Sequence, residues 1–296
     1  MRFIMERRNF VKSLSILPLA GITMNLNGLF NITNELKTTE QWPVLFIGHG
    51  SPMNAIMDNA FTRGLTTLGK SFKEKPNAIL VVSAHWLTRG THVMVSEKPK
   101  TIYDFGGFPD ELYQIKYPAP GSPGFAKETK QLIKSANTIE DENWGLDHGA
   151  WTILLHLFPN ADIPVFQLSI DYSKEPRFHY DLAAELKALR KKGVLIIGSG
   201  NIVHNLYQID FDTNAKPFGW AIEFDELVKD KLLKKKYSAL IDYPSLGQAS
   251  KLSVPTNDHY LPMLYALGLS ERNEELKFVY EEIQNASISM RCFQIG

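Results

Sequence analysis

The sequence predicts an α/β fold, a single domain in which helices flank a mixed central β-sheet. Three observations predict it. Apolar runs at Pro43–Ile47, Ala78–Val82, Ile163–Ile170 and Val194–Ile197 lack strict alternation, as strands covered on both faces do. Segments of helical period lie between them. From Trp42 onward no linker rich in Gly, Pro or Ser divides the chain, and there is no internal repeat.

Residues 1–41 stand apart as an N-terminal extension. Met1–Lys12 carries Arg2, Arg7, Arg8 and Lys12; an apolar stretch follows over Leu14–Met24, then a polar run to Gln41. A basic segment feeding a short apolar one is the outline of an export signal. Glu6-Arg7-Arg8-Asn9-Phe10-Val11-Lys12 also resembles the twin-arginine address, which carries folded proteins and would make this one periplasmic. The alternative is a cytoplasmic protein with a frayed amphipathic extension. The apolar stretch is short and broken by Pro18 and Gly21, so no transmembrane segment is expected.

The folded domain is expected over 42–296. Pro43–Ile47 reads as a strand ended by Gly48-His49-Gly50-Ser51-Pro52, and Ala78–Val82 as one ended by Ser83-Ala84-His85-Trp86. Ile163–Ile170 and Val194–Ile197 follow, the latter closing in Gly198-Ser199-Gly200-Asn201. Helices are expected over Gly124–Ser135, Ala150–Phe158, Pro176–Lys191 and Phe218–Lys236. In the last, Trp220, Ile222, Phe224, Leu227 and Val228 fall near the helical period. A helix around Tyr260–Leu267 precedes strands at Leu276–Tyr280 and Ser287–Phe293. The second strand alternates Ile288, Met290 and Cys292 against Ser287, Ser289 and Arg291.

Thr101–Pro123 fits neither period. It sets Tyr103, Phe105, Phe108, Tyr113 and Tyr117 among glycines and prolines, and its length is unusual for an idle connection. An aromatic wall or lid for a flat apolar substrate is one reading; a loop that packs its aromatics on the body is the other.

Composition narrows the chemistry. Lys plus Arg is 32 and Asp plus Glu is 32, a formal net charge of zero, which excludes nucleic-acid binding by bulk electrostatics. The lone Cys292 can form neither an internal disulfide nor a thiolate cluster, so a metal site would use imidazole and carboxylate. Of eight histidines, His49 and His85 directly follow strands, His204 lies four residues past a Gly-rich turn, and His259 precedes a helix. Ligand sites in open α/β sheets form beyond the C-terminal ends of strands. Imidazoles there suit iron, zinc or copper, and three protein ligands leave positions for water, substrate or oxygen. Each alone is more often structural; their shared placement raises the metal reading. His148, beside Asp147 in a turn, is a candidate proton donor or substrate contact with Asp147 to orient it. His156 reads as a core or surface histidine, and His92 and His179 carry no assigned role. Neither a dinucleotide fingerprint nor a five-residue nucleophile elbow occurs.

Longer strings make a family visible. Gly48-His49-Gly50-Ser51-Pro52-Met53, Ser83-Ala84-His85-Trp86 and Asp104-Phe105-Gly106-Gly107-Phe108-Pro109 carry the likeness, with Tyr117-Pro118-Ala119-Pro120-Gly121. It continues through Trp144-Gly145-Leu146-Asp147-His148-Gly149, Gly198–Asn205 and His259-Tyr260-Leu261-Pro262. From Pro43 to Gly296 the chain resembles the class III extradiol ring-cleavage dioxygenases of the LigB superfamily, in the 4,5-DOPA dioxygenase branch. The resemblance implies a LigB-like single α/β domain and one divalent metal held by His49, His85 and His259. His204 is implied either as a further ligand or as the acid/base, and His148 as its neighbour in proton handling. Tyr103, Phe105, Phe108, Tyr117, Asp147 and Asn201 become substrate contacts. Related enzymes use two histidines and a carboxylate around Fe(II); here His259 takes the third place, which leaves the metal open between Fe(II), expected for oxygen chemistry, and Zn(II). The implied substrates are a catechol and O₂, with the ring opened beside one hydroxyl to a semialdehyde. A zinc-dependent hydrolase using the same pocket, or a non-catalytic binding protein of this fold, are the rival readings. Oligomeric state is open.

Overall fold

Val44–Gly48, Ala78–Ser83 and Val194–Gly200 are buried residue by residue. Strands with no polar face need cover on both sides, and this sets the architecture. The computed structural model describes residues 41–296, so the expected export segment lies outside the described residues.

In chain order the first half runs β1 (Val44–Gly48), α1 (Ala60–Ser71), β2 (Ala78–Ser83), β3 (Leu87–Thr88), β4 (His92–Met94), α2 (Pro123–Leu132), β5 (Ile139–Asp141), α3 (His148–Leu157), β6 (Val165–Gln167) and β7 (Ile170–Asp171). The second half runs α4 (Pro176–Glu185), α5 (Lys187–Lys191), β8 (Val194–Gly200), α6 (Gly219–Leu233), α7 (Tyr237–Ile241), α8 (Gln248–Ser253) and α9 (Leu261–Gly268). It closes with β9 (Leu276–Tyr280), β10 (Ile283–Gln284), β11 (Ile288–Ser289) and β12 (Cys292–Ile295).

The main sheet has the order β6-β2-β8-β1-β12-β9. Its first four strands are parallel, and β12 and β9 add to it antiparallel, which makes the sheet mixed. The register positions the site. Gly48 pairs with Gly200 and Ser83 with Ser199, so β1, β2 and β8 end at one level.

Helices reach the sheet closely at this end. A Cβ on Gly198 would lie 2.2 Å from Pro262 O, and one on Gly200 2.1 Å from His259 O, so the start of α9 rests directly on β8. Ser199, between them, points to the opposite face. There it donates a hydrogen bond to Gly149 O in α3 at 2.5 Å. The α3 and α9 N-termini thus clasp β8 from its two sides. We expect Gly200→Ala to cost about 1–3 kcal/mol through overpacking. Denaturant unfolding checks this against Gly64→Ala, whose nearest neighbour would be 3.8 Å away. Equal stability of the two variants would mean that the His259 segment yields freely.

Three expected elements divide. Ile163–Ile170 splits into β6, which pairs with β2, and β7, which pairs with β3 in a separate ladder. Pro176–Lys191 breaks at the buried Leu186, with φ −91° and ψ 0°, into α4 and α5. Ser287–Phe293 separates into β11 and β12. Its alternation does not sort core from solvent, because Ser287, Ser289 and Arg291 are buried along with Ile288, Met290 and Cys292. The polar set finds partners inside: Ser289 Oγ donates to Asp225 Oδ1 at 2.6 Å, and Arg291 Nε donates to both Asp225 oxygens at 3.1 Å. No helix among the described residues is long and apolar enough to cross a membrane.

Candidate metal centre

The strand ends and the α3 and α9 N-termini bring five histidines together. His49 leaves β1 with its amide on Gly200 O at 3.2 Å. His85 follows β2 in a tight turn held by Ala84 N–H to Ser199 O at 2.9 Å. The His259 carbonyl accepts from Asn201 N at 2.8 Å, which ties the turn before α9 to the end of β8. His148 opens α3 behind the N-cap Asp147, whose side chain accepts from Ala150 N. His204 is anchored by its amide to Ser253 O at 2.9 Å.

The side chains converge. His49 and His85 approach Nε2 to Nε2 at 3.0 Å. One ligating atom from each of His49, His85 and His259 lies within 4.8 Å of the other two. The His85 and His148 rings are 3.9 Å apart, and His204 stacks on His259 at 3.5 Å with a 5° tilt.

Hydrogen bonds assign the tautomers. The single Ser199 hydroxyl proton goes to Gly149 O, so Ser199 Oγ accepts from His49 Nδ1 at 3.0 Å. His259 Nδ1 donates to Asp258. His85 Nδ1 lies 3.2 Å from Asp104 Oδ2, an atom that only accepts. His49 and His259 therefore carry the proton on Nδ1 and a lone pair on Nε2, and His85 turns Nδ1 toward a carboxylate oxygen and Nε2 toward His49. Burial, followed by the neighbouring imidazoles, holds His49 and His259 well below the usual histidine range. Burial and then His148 push His85 down to about 3, and burial brings His204 to about 4. Neutral imidazoles with their Nε2 lone pairs 3.0 Å apart repel unless a cation sits between them. The donor set therefore fits a divalent metal; an imidazole cluster flanked by aspartates suits iron or zinc alike.

The other expected site residues divide. Phe105 meets the His148 ring edge-on at 5.5 Å, Phe108 lies 5.4 Å from Phe105, and Tyr103 lies 6.2 Å from it. Of the three, Phe105 touches the histidine cluster, and Phe108 and Tyr103 pack against Phe105. Tyr117 turns inward instead: it is 1% exposed and donates to Phe158 O at 2.9 Å. Asp147 is fully buried, with Oδ1 accepting from Ser83 at 2.6 Å and Oδ2 from Gln167 at 3.0 Å. Burial, then the Asp104 charge, raises its carboxyl to about 6 against those two hydrogen bonds. Asp147 thus caps a helix, and the orienting partner of His148 is Asp104, whose Oδ2 lies 2.9 Å from His148 Nδ1. Asn201 is buried beside His259; its Nδ2 donates to Ser289 O at 2.8 Å and its Oδ1 has no protein partner.

Asp104, Asp258 and Ser199 were not singled out by sequence reasoning. Asp258 adjoins His259 and Asp104 heads the Phe105–Pro109 string, but neither position by itself reveals a contact with a ring nitrogen.

Residues 43–291 match the family described as the catalytic LigB subunit of aromatic ring-opening dioxygenase. The chain belongs to this family. A 4,5-DOPA dioxygenase extradiol of Escherichia coli K12 is 44% identical over 90% of this chain and 98% of its own length. One from Beta vulgaris is 39% identical over 84% of this chain and 94% of its own. A crystal structure of an uncharacterized Escherichia coli K12 protein superposes with a TM-score of 0.76 at 41% identity, covering 86% of this chain and all of that one. The mixed α/β sheet and the histidine cluster thus belong to a LigB-family ring-opening dioxygenase.

Proposed function

We propose that this LigB-family enzyme opens a catechol ring beside one hydroxyl, inserting both atoms of O₂, with DOPA or a similar catechol as substrate. The observation that carries the reading is the convergence of three buried imidazoles at the ends of β1 and β2 and in the turn before α9, with the Nδ1 of His49 and His259 hydrogen-bonded away from the centre. The names of the relatives support the substrate class.

In this reading His49, His85 and His259 hold one divalent ion. When bound, that ion supplies Lewis acidity toward the catechol oxygens and, as Fe(II), the redox capacity that Zn(II) lacks. His204 adjoins the His259 ring and His148 the His85 ring, and the two take and return the catechol protons. Phe105, Phe108 and Tyr103 provide an apolar wall against which the substrate ring stacks.

The test is metal analysis of anaerobically purified protein, then oxygen uptake with a panel of catechols after loading Fe(II) or Zn(II). We expect one metal per chain, uptake with Fe(II), and none with Zn(II). No uptake with Fe(II) on any catechol would overturn the dioxygenase reading and leave a zinc-dependent hydrolase to be tested.

A further inference from the structure

We propose that Asp104 is a positioning residue that sets the tautomer of His148 and of the metal-facing His85 with one carboxylate; this deepens the function proposed above and rests on it.

The hydrogen-bond arithmetic at Asp104 is closed. Its Oδ1 accepts the His148 backbone N–H at 2.9 Å. Its Oδ2 accepts His148 Nδ1–H at 2.9 Å and lies 3.2 Å from His85 Nδ1. A carboxylate only accepts, so His148 turns a protonated Nδ1 toward it, and His85 Nδ1 faces the same acceptor at 3.2 Å. That leaves His148 Nε2 with a lone pair to receive a catechol proton, and His85 Nε2 with one to face His49. The alternative tautomer would put a lone pair against the carboxylate and an N–H toward the substrate. Asp104 also belongs to the aromatic loop, and the next residue, Phe105, meets the His148 ring at 5.5 Å. One side chain therefore pins the wall of the pocket to the start of α3.

Asp104→Asn is close in shape and makes the sharper variant. Its oxygen must serve the His148 backbone N–H, because an amide nitrogen cannot accept. The NH₂ then replaces Oδ2 and donates to His148 Nδ1, which drives His148 to the Nε2–H form. Fold and loop anchor are kept while the tautomer inverts.

The experiment reads histidine tautomers by ¹⁵N NMR in the zinc-loaded protein, with His148→Asn for assignment, beside kcat and KM for oxygen uptake on the Fe(II)-loaded protein. In the parent chain His148 should be Nδ1–H, and in Asp104→Asn it should be Nε2–H. The variant should lose about 100-fold or more in kcat with KM changed less than about 3-fold, and bind zinc about 10- to 100-fold more weakly. Asp104→Glu, which still only accepts, should keep the Nδ1–H form and recover much of kcat. An unchanged tautomer in Asp104→Asn overturns the proposal. So does an Asp104→Glu as slow as Asp104→Asn with its tautomer intact. If the parent chain takes up no oxygen with any catechol, the dioxygenase reading fails, while the NMR and zinc measurements still decide the role of Asp104.

Discussion

Alanine at His49, His85 or His259 is expected to strip the metal and to lower ring-opening activity by at least about three decades, the equivalent of ~4 kcal/mol in the barrier. Each ring offers a single lone pair to a common point, and its other nitrogen is committed to Ser199, Asp104 or Asp258. Removing any one leaves two ligands and an apolar gap. Metal content of the purified variants checks this, and retention of stoichiometric metal in any of the three would remove that residue from the ligand set. The same measurement against pH tests the electrostatics. An ordinary imidazole with a pKa near 6.5 is roughly nine-tenths protonated at pH 5.5. His85, depressed to about 3 by burial and then by His148, stays neutral there. Lowering favours the neutral, metal-binding form, so the metal should persist as pH falls through 6.5.

His204→Ala should behave differently: the metal stays and kcat falls on the order of 10²- to 10⁴-fold, the usual contribution of a placed acid or base. His204 stacks flat on His259 at 3.5 Å, beside the ligand cluster, and burial holds it neutral with a value of about 4. It is thus unprotonated at neutral pH. Metal content and kcat, measured on the same preparation, separate the possibilities. Joint loss of metal and activity would make His204 a fourth ligand instead of a proton carrier.

The central strands were legible because burial on both faces writes them as unbroken apolar runs, as in β1, β2 and β8. The break between β6 and β7 was not legible. Both halves of Ile163–Ile170 are apolar, and what divides them is the strand that each one meets, β2 or β3. The β11–β12 alternation misled for a related reason. Arg291 reads as a solvent-facing residue, yet Asp225, 66 residues away in sequence, is folded against it in the core.

The histidines could be picked out one by one, since a residue just past an apolar run sits at a strand end. Their convergence follows from a register that levels Gly48, Ser83 and Ser199–Gly200, and from glycines that let α9 lie on β8. Residue types and local spacing thus dictated the fold class and the candidate metal chemistry, because burial and turn propensity are local demands. Which nitrogen each ring presents was decided only by tertiary structure. Ser199 reaches His49 across 150 residues and Asp104 reaches His148 across 44, and a proton's place on an imidazole depends on what its other nitrogen touches.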